Sequence, residues 1–211
     1  MRGLPVFELQ TVDPEVSRAK FAREVADYRA LKETYRKRGQ ILLDATFPQV
    51  CVMFAAPKLR PSPILACVVV DFTDYDVQPL SVRFVDPFTR ESVKAKDLPL
   101  PMLRRPPVPP GMPMEMYLQL MQQGMLQMNN LLQTHGPDEP PFLCLPRVRE
   151  YHDNPAHTGD SWFLHRRSGE GSLAFILDTI WSHGINPIEN YQMVAQAPTI
   201  AIALNLERVP L

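Results

Sequence analysis

Ile41-Leu42-Leu43, Val50-Cys51-Val52-Met53-Phe54, Ile64-Leu65-Ala66-Cys67-Val68-Val69-Val70-Asp71-Phe72 and Leu80-Ser81-Val82-Arg83-Phe84-Val85 follow one another as four apolar runs. Each has strand length, and β-branched and aromatic residues of this kind suit the pleated, half-buried surface of a sheet. The intervals between them are too short for helical crossovers, so consecutive runs pair as antiparallel neighbours. Asp71, Asp74 and Asp76 mark a turn, and Pro87 stops the last run. The predicted frame is therefore a meander sheet over residues 41–88.

Upstream, Asp13-Pro14-Glu15 combines an N-cap carboxylate, a first-turn proline and a first-turn acid. Val16, Phe21, Val25, Tyr28, Leu31 and Tyr35 then recur at helical spacing before Arg36-Lys37-Arg38 and Gly39, which predicts one helix over 13–38. Its other face carries Arg18, Lys20, Arg23, Arg29 and Lys32, read as a solvated face first and a docking surface for an acidic partner second. A helix followed by a meander gives the α+β class.

Downstream, residues 98–141 read as an insertion. Seven prolines between Pro99 and Pro113 exclude helix and interior strand and favour an extended arm. Met114, Tyr117, Leu118, Met121, Met125, Met128, Leu131 and Leu132 then recur at helical spacing, predicting a helix over Met114–Gln133. A methionine stripe reads first as core and second as an adaptable partner groove. Residues 142–167 read as a site loop, Ser172 caps a helix through Trp181, and Thr199–Glu207 alternates like a strand. The expectation is one domain over 1–211, the last part being 172–211.

Composition bounds the function. Lys+Arg 22 against Asp+Glu 23 gives a net charge of −1, so no whole-molecule field gathers nucleic acid or anionic lipid. No apolar run approaches the roughly 20 residues of a membrane span. Met1-Arg2-Gly3-Leu4-Pro5 lacks the apolar region of a signal peptide, which makes a cytoplasmic protein the expectation. Three cysteines in a chain of this size favour reduced thiols, with Cys51 and Cys67 read as small buried hydrophobes. Proline is in excess at 23 residues, and eleven of them fall between Pro99 and Pro146, framing the insertion.

The chemistry concentrates around Cys144, which is followed within a short stretch by Glu150, His152, Asn154, His157 and His165. Two mechanisms use the same atoms differently. Cys144 as a nucleophile needs a neighbour that favours its thiolate, which His152 or His157 would supply, and an oxyanion donor, for which Asn154 is the nearby amide. Alternatively Cys144, Glu150, His152 and His157, spaced Cys-x5-Glu-x-His-x4-His, make the ligand set of a zinc-like ion, with Glu150 and His152 facing the same way on an extended segment.

The setting Phe142-Leu143-Cys144-Leu145-Pro146, Glu150-Tyr151-His152 and Pro155-Ala156-His157-Thr158-Gly159-Asp160 resembles the signature of a bacterial family described as a predicted metal-binding domain of Cys-Glu-His-His type. Genes of that family lie beside ubiquitin-like proteins, ThiF-like adenylating enzymes and JAB-type deubiquitinases. The order of N-terminal helix, meander, Pro79–Phe88, Cys144-Leu145, Trp162 and the Ser172 helix also resembles the ubiquitin-conjugating (UBC) fold.

That second resemblance implies a UBC-like domain in which Cys144 accepts a ubiquitin-like protein as a thioester from an adenylating enzyme and passes it to an amine of a target protein. His152 and His157 would move protons, Glu150 would orient one of them, and no cofactor is needed. A setting in antiphage defence is what the resemblance implies. The alternative is a non-catalytic zinc module of the same pathway; a third reading is a cysteine hydrolase. The chain departs from the conjugating family in having Thr89-Arg90-Glu91 in place of its His-Pro-Asn, and in the long interval between Phe88 and Cys144.

Overall fold

All four expected strands form, in the expected order. The computed structural model describes residues 12–166 and 171–190. In it β1 (Gln40–Thr46), β2 (Gln49–Ala55), β3 (Ile64–Asp71) and β4 (Ser81–Phe84) make one antiparallel sheet ordered β1-β2-β3-β4. Val52 pairs with Val68 and Val70 with Val82, so the alternation of the pleat sends Val50, Val52, Phe54, Val68, Val70 and Phe84 into the main core. The same alternation puts Cys51, Met53, Cys67 and Val69 on the sheet's other face, in a smaller cluster with Val85.

The single helix expected over 13–38 is two. Asp13 caps α1 (Pro14–Ala30) by accepting from the Glu15 N–H at 3.0 Å, and Phe21, Val25 and Tyr28 are buried against the sheet. Leu31, at φ −102° and ψ 15°, breaks the ladder before α2 (Lys32–Lys37). Across the break the Tyr28 and Tyr35 rings stack with centroids 4.4 Å apart. Val16 and Leu31, expected on the apolar face, are 44% and 53% exposed; Leu31 is the residue at the break, and Val16 lies in the first turn. Gly39, at φ +82°, then turns the chain into β1, where a Cβ would meet the Ala55 carbonyl oxygen at 2.1 Å.

The insertion departs further from expectation. β5 (Leu103–Arg104) precedes α3 (Met114–Gln122), and the helix expected to reach Gln133 stops where Gly124 adopts φ +69°. The chain returns as β6 (Asn129–Asn130), paired with β5, and β7 (Leu132–Gln133), paired with β8 (Phe142–Leu143). The methionines do not fill a core: Met114, Met116 and Met125 are exposed, and α3 rests on the proline arm through Tyr117, whose hydroxyl donates to the Pro106 carbonyl at 2.7 Å. Between the two short pairings, the Leu131 N–H donates to the Met102 carbonyl at 2.7 Å and its carbonyl accepts the Cys144 N–H at 2.8 Å. One seam of backbone hydrogen bonds thus runs from the arm to Cys144.

Residues 142–167 are not a plain loop. After β8 they form α4 (Arg149–Asp153), a 3₁₀ turn (Pro155–His157) and α5 (Trp162–His165). Ser172 then caps α6 (Leu173–Ile180), whose Leu173, Ile176, Leu177 and Ile180 are fully buried. Glu24 of α1 accepts from the Leu173 N–H at 2.6 Å and from the Tyr75 hydroxyl at 2.9 Å, tying both helices to the loop before β4. The strand expected over Thr199–Glu207 lies outside the described residues. Among the described residues no helix is long and apolar enough to cross a membrane.

Candidate active site

Two of the four signature residues meet. The His157 Nε2 lies 3.4 Å from the Cys144 Sγ, where it either donates to the thiolate or accepts from the thiol. Cys144 is held by the seam on one side and His157 by the 3₁₀ turn on the other. The Tyr151 ring lies against the imidazole, with centroids 3.9 Å apart and planes 17° from parallel. Beyond His157 opens a cleft of about 350 Å³, lined also by His152, Asp160 and Trp162.

Glu150 and His152 point elsewhere, and the local secondary structure says why. On the expected extended segment residues two apart share a face, but both belong to α4, where i and i+2 diverge. Glu150 turns to the sheet, accepting from the Ser81 hydroxyl and from the Val82 N–H at 3.1 Å. Burial pushes its carboxyl above the ordinary range against these hydrogen bonds. It anchors α4 to β4 and orients neither histidine. With it, the Arg149 N–H donates to the Leu80 carbonyl at 2.9 Å, and its guanidinium reaches the Thr73 and Pro79 carbonyls.

His152 sets Nδ1 3.0 Å from the Asp160 carbonyl and Nε2 3.0 Å from the Pro146 carbonyl, so both ring nitrogens brace backbone on either side of the site. Asn154 is a local cap: its side-chain oxygen accepts the Ala156 N–H at 3.0 Å and starts the 3₁₀ turn that carries His157. Among the described residues no three His, Cys, Asp or Glu side chains converge as a metal site. The set of Cys144, Glu150, His152 and His157 does not fit a zinc ion in this arrangement, since two of the four are turned to partners on opposite sides.

Sequence reasoning missed the group that organises the loop. Asp160 accepts from the Tyr151 hydroxyl at 3.0 Å and pairs with His165 at 2.7 Å, while its carbonyl meets His152. The bond from His165, with help from Tyr151 and against burial, holds the Asp160 carboxyl below the ordinary range. Both Tyr151 and Asp160 stand inside the signature stretch, so an aromatic beside a histidine and an acid after Gly159 were the available signals. Trp162 closes the far side, donating from Nε1 to the Asp76 carbonyl at 2.9 Å. A Cβ on Gly171 would meet its ring at 2.2 Å, so this packing requires glycine there.

His157 stands where the sequence reading wanted a neighbour for the thiol, and two further effects act on that sulfur. Burial pushes the Cys144 thiol up, and the Arg104 charge opposes that rise. Arg104 is brought near by β5 of the proline arm, a placement with no signal in a linear reading.

Fold and site together define an α+β protein that holds a half-buried thiol against one imidazole, on a seam supplied by an insertion. The chain belongs to the Y4jH-like family, whose model, described as Y4jH family, matches residues 12–188. It is similar to the protein called "Uncharacterized protein y4jH" of Sinorhizobium fredii (strain NBRC 101917 / NGR234), at 50% identity over 203 residues, covering 96% of this chain and 98% of that protein. The match to the family takes in the sheet, the insertion, Cys144, His157 and α6.

Proposed function

We propose that the protein is a conjugating-enzyme-like carrier that takes the C-terminus of a ubiquitin-like protein onto Cys144 and passes it to an amine of a target protein. The carrying observation is the pairing of Cys144 with His157 at 3.4 Å while Glu150 and His152 are committed to structural bonds. A nucleophile beside a base held by a third group is the arrangement that nucleophilic catalysis uses, and Tyr151 is that third group.

In this reading the Cys144 proton passes to His157 as the sulfur attacks the carbonyl carbon of a thioester on the adenylating enzyme. The thiolate of that enzyme leaves and takes the proton. An amine then attacks the Cys144 thioester, an amide forms as the C–S bond breaks, and the proton lost from the nitrogen passes through His157 to the departing Cys144 sulfur. Because the first exchange conserves bond type, the protein's contribution is positioning and charge stabilisation. A raised thiol suits a carrier that must stay protonated until a donor arrives. The resemblance of helix, meander and Cys144-Leu145 to the conjugating fold supports the substrate class, and with it a role in a bacterial defence pathway.

The test is incubation with the adenylating enzyme, its ubiquitin-like partner and ATP. A reductant-sensitive adduct on Cys144, absent in Cys144→Ala, is expected. Stoichiometric zinc in the purified protein, lost in Cys144→Ala, would overturn the proposal in favour of a metal module. Cleavage of a ubiquitin-like fusion without ATP would overturn it in favour of a hydrolase.

A further inference from the structure

Cys51 and Cys67 were expected to be apolar filler, and both are indeed buried, at 5% and 1% exposure. Their setting is not that of filler. They lie on the sheet face opposite the main core, where Cys51 pairs with Val69 and Cys67 with Met53, so the cysteines are diagonal neighbours on one face. Their sulfurs are 3.4 Å apart. Over them lies the guanidinium of Arg90, which donates to the Cys51 Sγ and sits 3.8 Å from the Cys67 Sγ.

Arg90 belongs to the turn after β4. It takes φ +66°, unusual for a side chain of its size, with its N–H bonded to the Asp86 carbonyl at 3.0 Å. The Asp86 side chain pins that turn through the Phe88 and Thr89 N–H groups. Arg90, held in this unusual conformation, places a permanent cation on two buried thiols, where it stabilises a thiolate. The hydrogen bond from Cys67 pulls the Cys51 thiol below its ordinary range, burial and Asp44 oppose this and the Arg90 charge assists, while the Cys67 thiol is pushed up. Arg90 donates to Cys51 and stands off from Cys67, so the cation favours Cys51 as the attacking sulfur and leaves Cys67 in reserve.

We propose that Cys51 and Cys67 are a redox-active dithiol whose oxidant is a hydroperoxide, with Cys51 the attacking sulfur, Cys67 the resolving one and Arg90 the cation that covers and activates them. The Cys51 thiolate attacks one oxygen of the hydroperoxide, the O–O bond breaks, and the departing alkoxide or hydroxide takes the proton released by Cys51. The sulfur is now a sulfenic acid. Cys67 then attacks it; the S–O bond breaks, hydroxide leaves with the Cys67 proton as water, and a disulfide joins β2 to β3. Two thiols are oxidised and one hydroperoxide is reduced to alcohol and water. The sulfurs must close from contact to the bonded separation of about 2.05 Å, a shift of little more than an ångström. The site is separate from Cys144 and stands whether or not Cys144 carries a thioester.

The probe is hydrogen peroxide added to the folded full-length chain, followed by peptide mapping without reductant. Formation of a Cys51–Cys67 disulfide is expected, and Cys67→Ser should instead accumulate a dimedone-reactive sulfenic acid on Cys51. Arg90→Ala should slow the reaction about tenfold and Arg90→Lys less. If peroxide oxidises Cys144 while Cys51 and Cys67 stay reduced, the proposal is wrong, and that result needs only the unsubstituted protein. An unchanged rate in Arg90→Ala would equally overturn it.

Discussion

The Tyr151 ring lies flat against the His157 imidazole, 3.9 Å between centroids, and holds the plane of the ring whose Nε2 faces Cys144. The hydroxyl of the same tyrosine donates to Asp160, so one side chain couples the proton-transfer geometry to the brace of the loop. His157 sits on a short 3₁₀ turn that would not by itself hold an imidazole in one orientation.

Removing the stack and removing the hydroxyl should therefore have different effects. Tyr151→Ala should slow alkylation of Cys144 by iodoacetamide about tenfold, whereas Tyr151→Phe, which keeps the ring, should stay within about twofold. His157→Ala should match Tyr151→Ala. Mass spectrometry of the Cys144 peptide over time reads all three, and equal rates in Tyr151→Ala and Tyr151→Phe would show that the stack does not position the imidazole.

Arg104 should set the pH dependence of that reaction. Burial raises the Cys144 thiol above its ordinary value of 9.0, and the Arg104 charge is what limits the rise. Taking the charge away favours the thiol further, so Arg104→Ala should move the alkylation profile to higher pH and lower the rate on its acid side. Arg104→Lys should leave the profile near that of the unsubstituted protein. A profile in Arg104→Ala that does not move would remove Arg104 from the site.

The sheet was legible because four β-branched runs with short intervals leave one economical topology, and the order β1-β2-β3-β4 is the one that reading predicts. The site was legible only as a list of residues. Glu150 and His152 two apart imply the same face on a strand and different faces on a helix, and nothing in the run Arg149–Asp153 decides between them until Leu80 and Val82 dock against it. The same limit explains α3: a methionine stripe signals a helix face, but Gly124 ends it early, and the partner that buries Tyr117 is the proline arm and not the sheet. Apart from the local stop at Gly124, long-range pairings decided these, and linear spacing does not carry them.

Glu150 should prove a structural anchor. Glu150→Ala orphans the Ser81 hydroxyl and the Val82 N–H, and loss of a half-buried carboxylate with these bonds costs about 2 kcal/mol. Thermal melting should fall accordingly, and Glu150→Gln, which still accepts one of the bonds, should fall less. Alkylation of Cys144 in the molecules that remain folded should change little. A large loss of reactivity with unchanged melting would instead place Glu150 in the chemistry.

Glu24 supplies the corresponding test for the core. Its carboxyl is buried, and burial raises it above the ordinary glutamate value of 4.5 despite the bonds from Leu173 and Tyr75. A folded carboxyl that holds its proton more tightly than the unfolded one contributes stability in full below 4.5 and loses it as pH rises through the raised value. Asp160 runs the other way, because its carboxyl is held below 3.8 and its contribution is lost only as pH falls beneath that point. The two effects occupy separate windows. Glu24→Gln can accept from the Leu173 N–H and donate to the Tyr75 oxygen, so it keeps both partners without a charge to bury. It should be as stable as the unsubstituted protein or more so at neutral pH, and its stability should no longer decline with pH above 4.5 on account of this residue. Glu24→Ala, which orphans both donors, should lose about 3 kcal/mol below pH 4.5 and less as pH rises through the raised value. Urea unfolding of the three proteins from pH 4 to pH 8 reads these differences, and a Glu24→Gln curve parallel to that of the unsubstituted protein would show that Glu24 folds with its ordinary affinity for the proton.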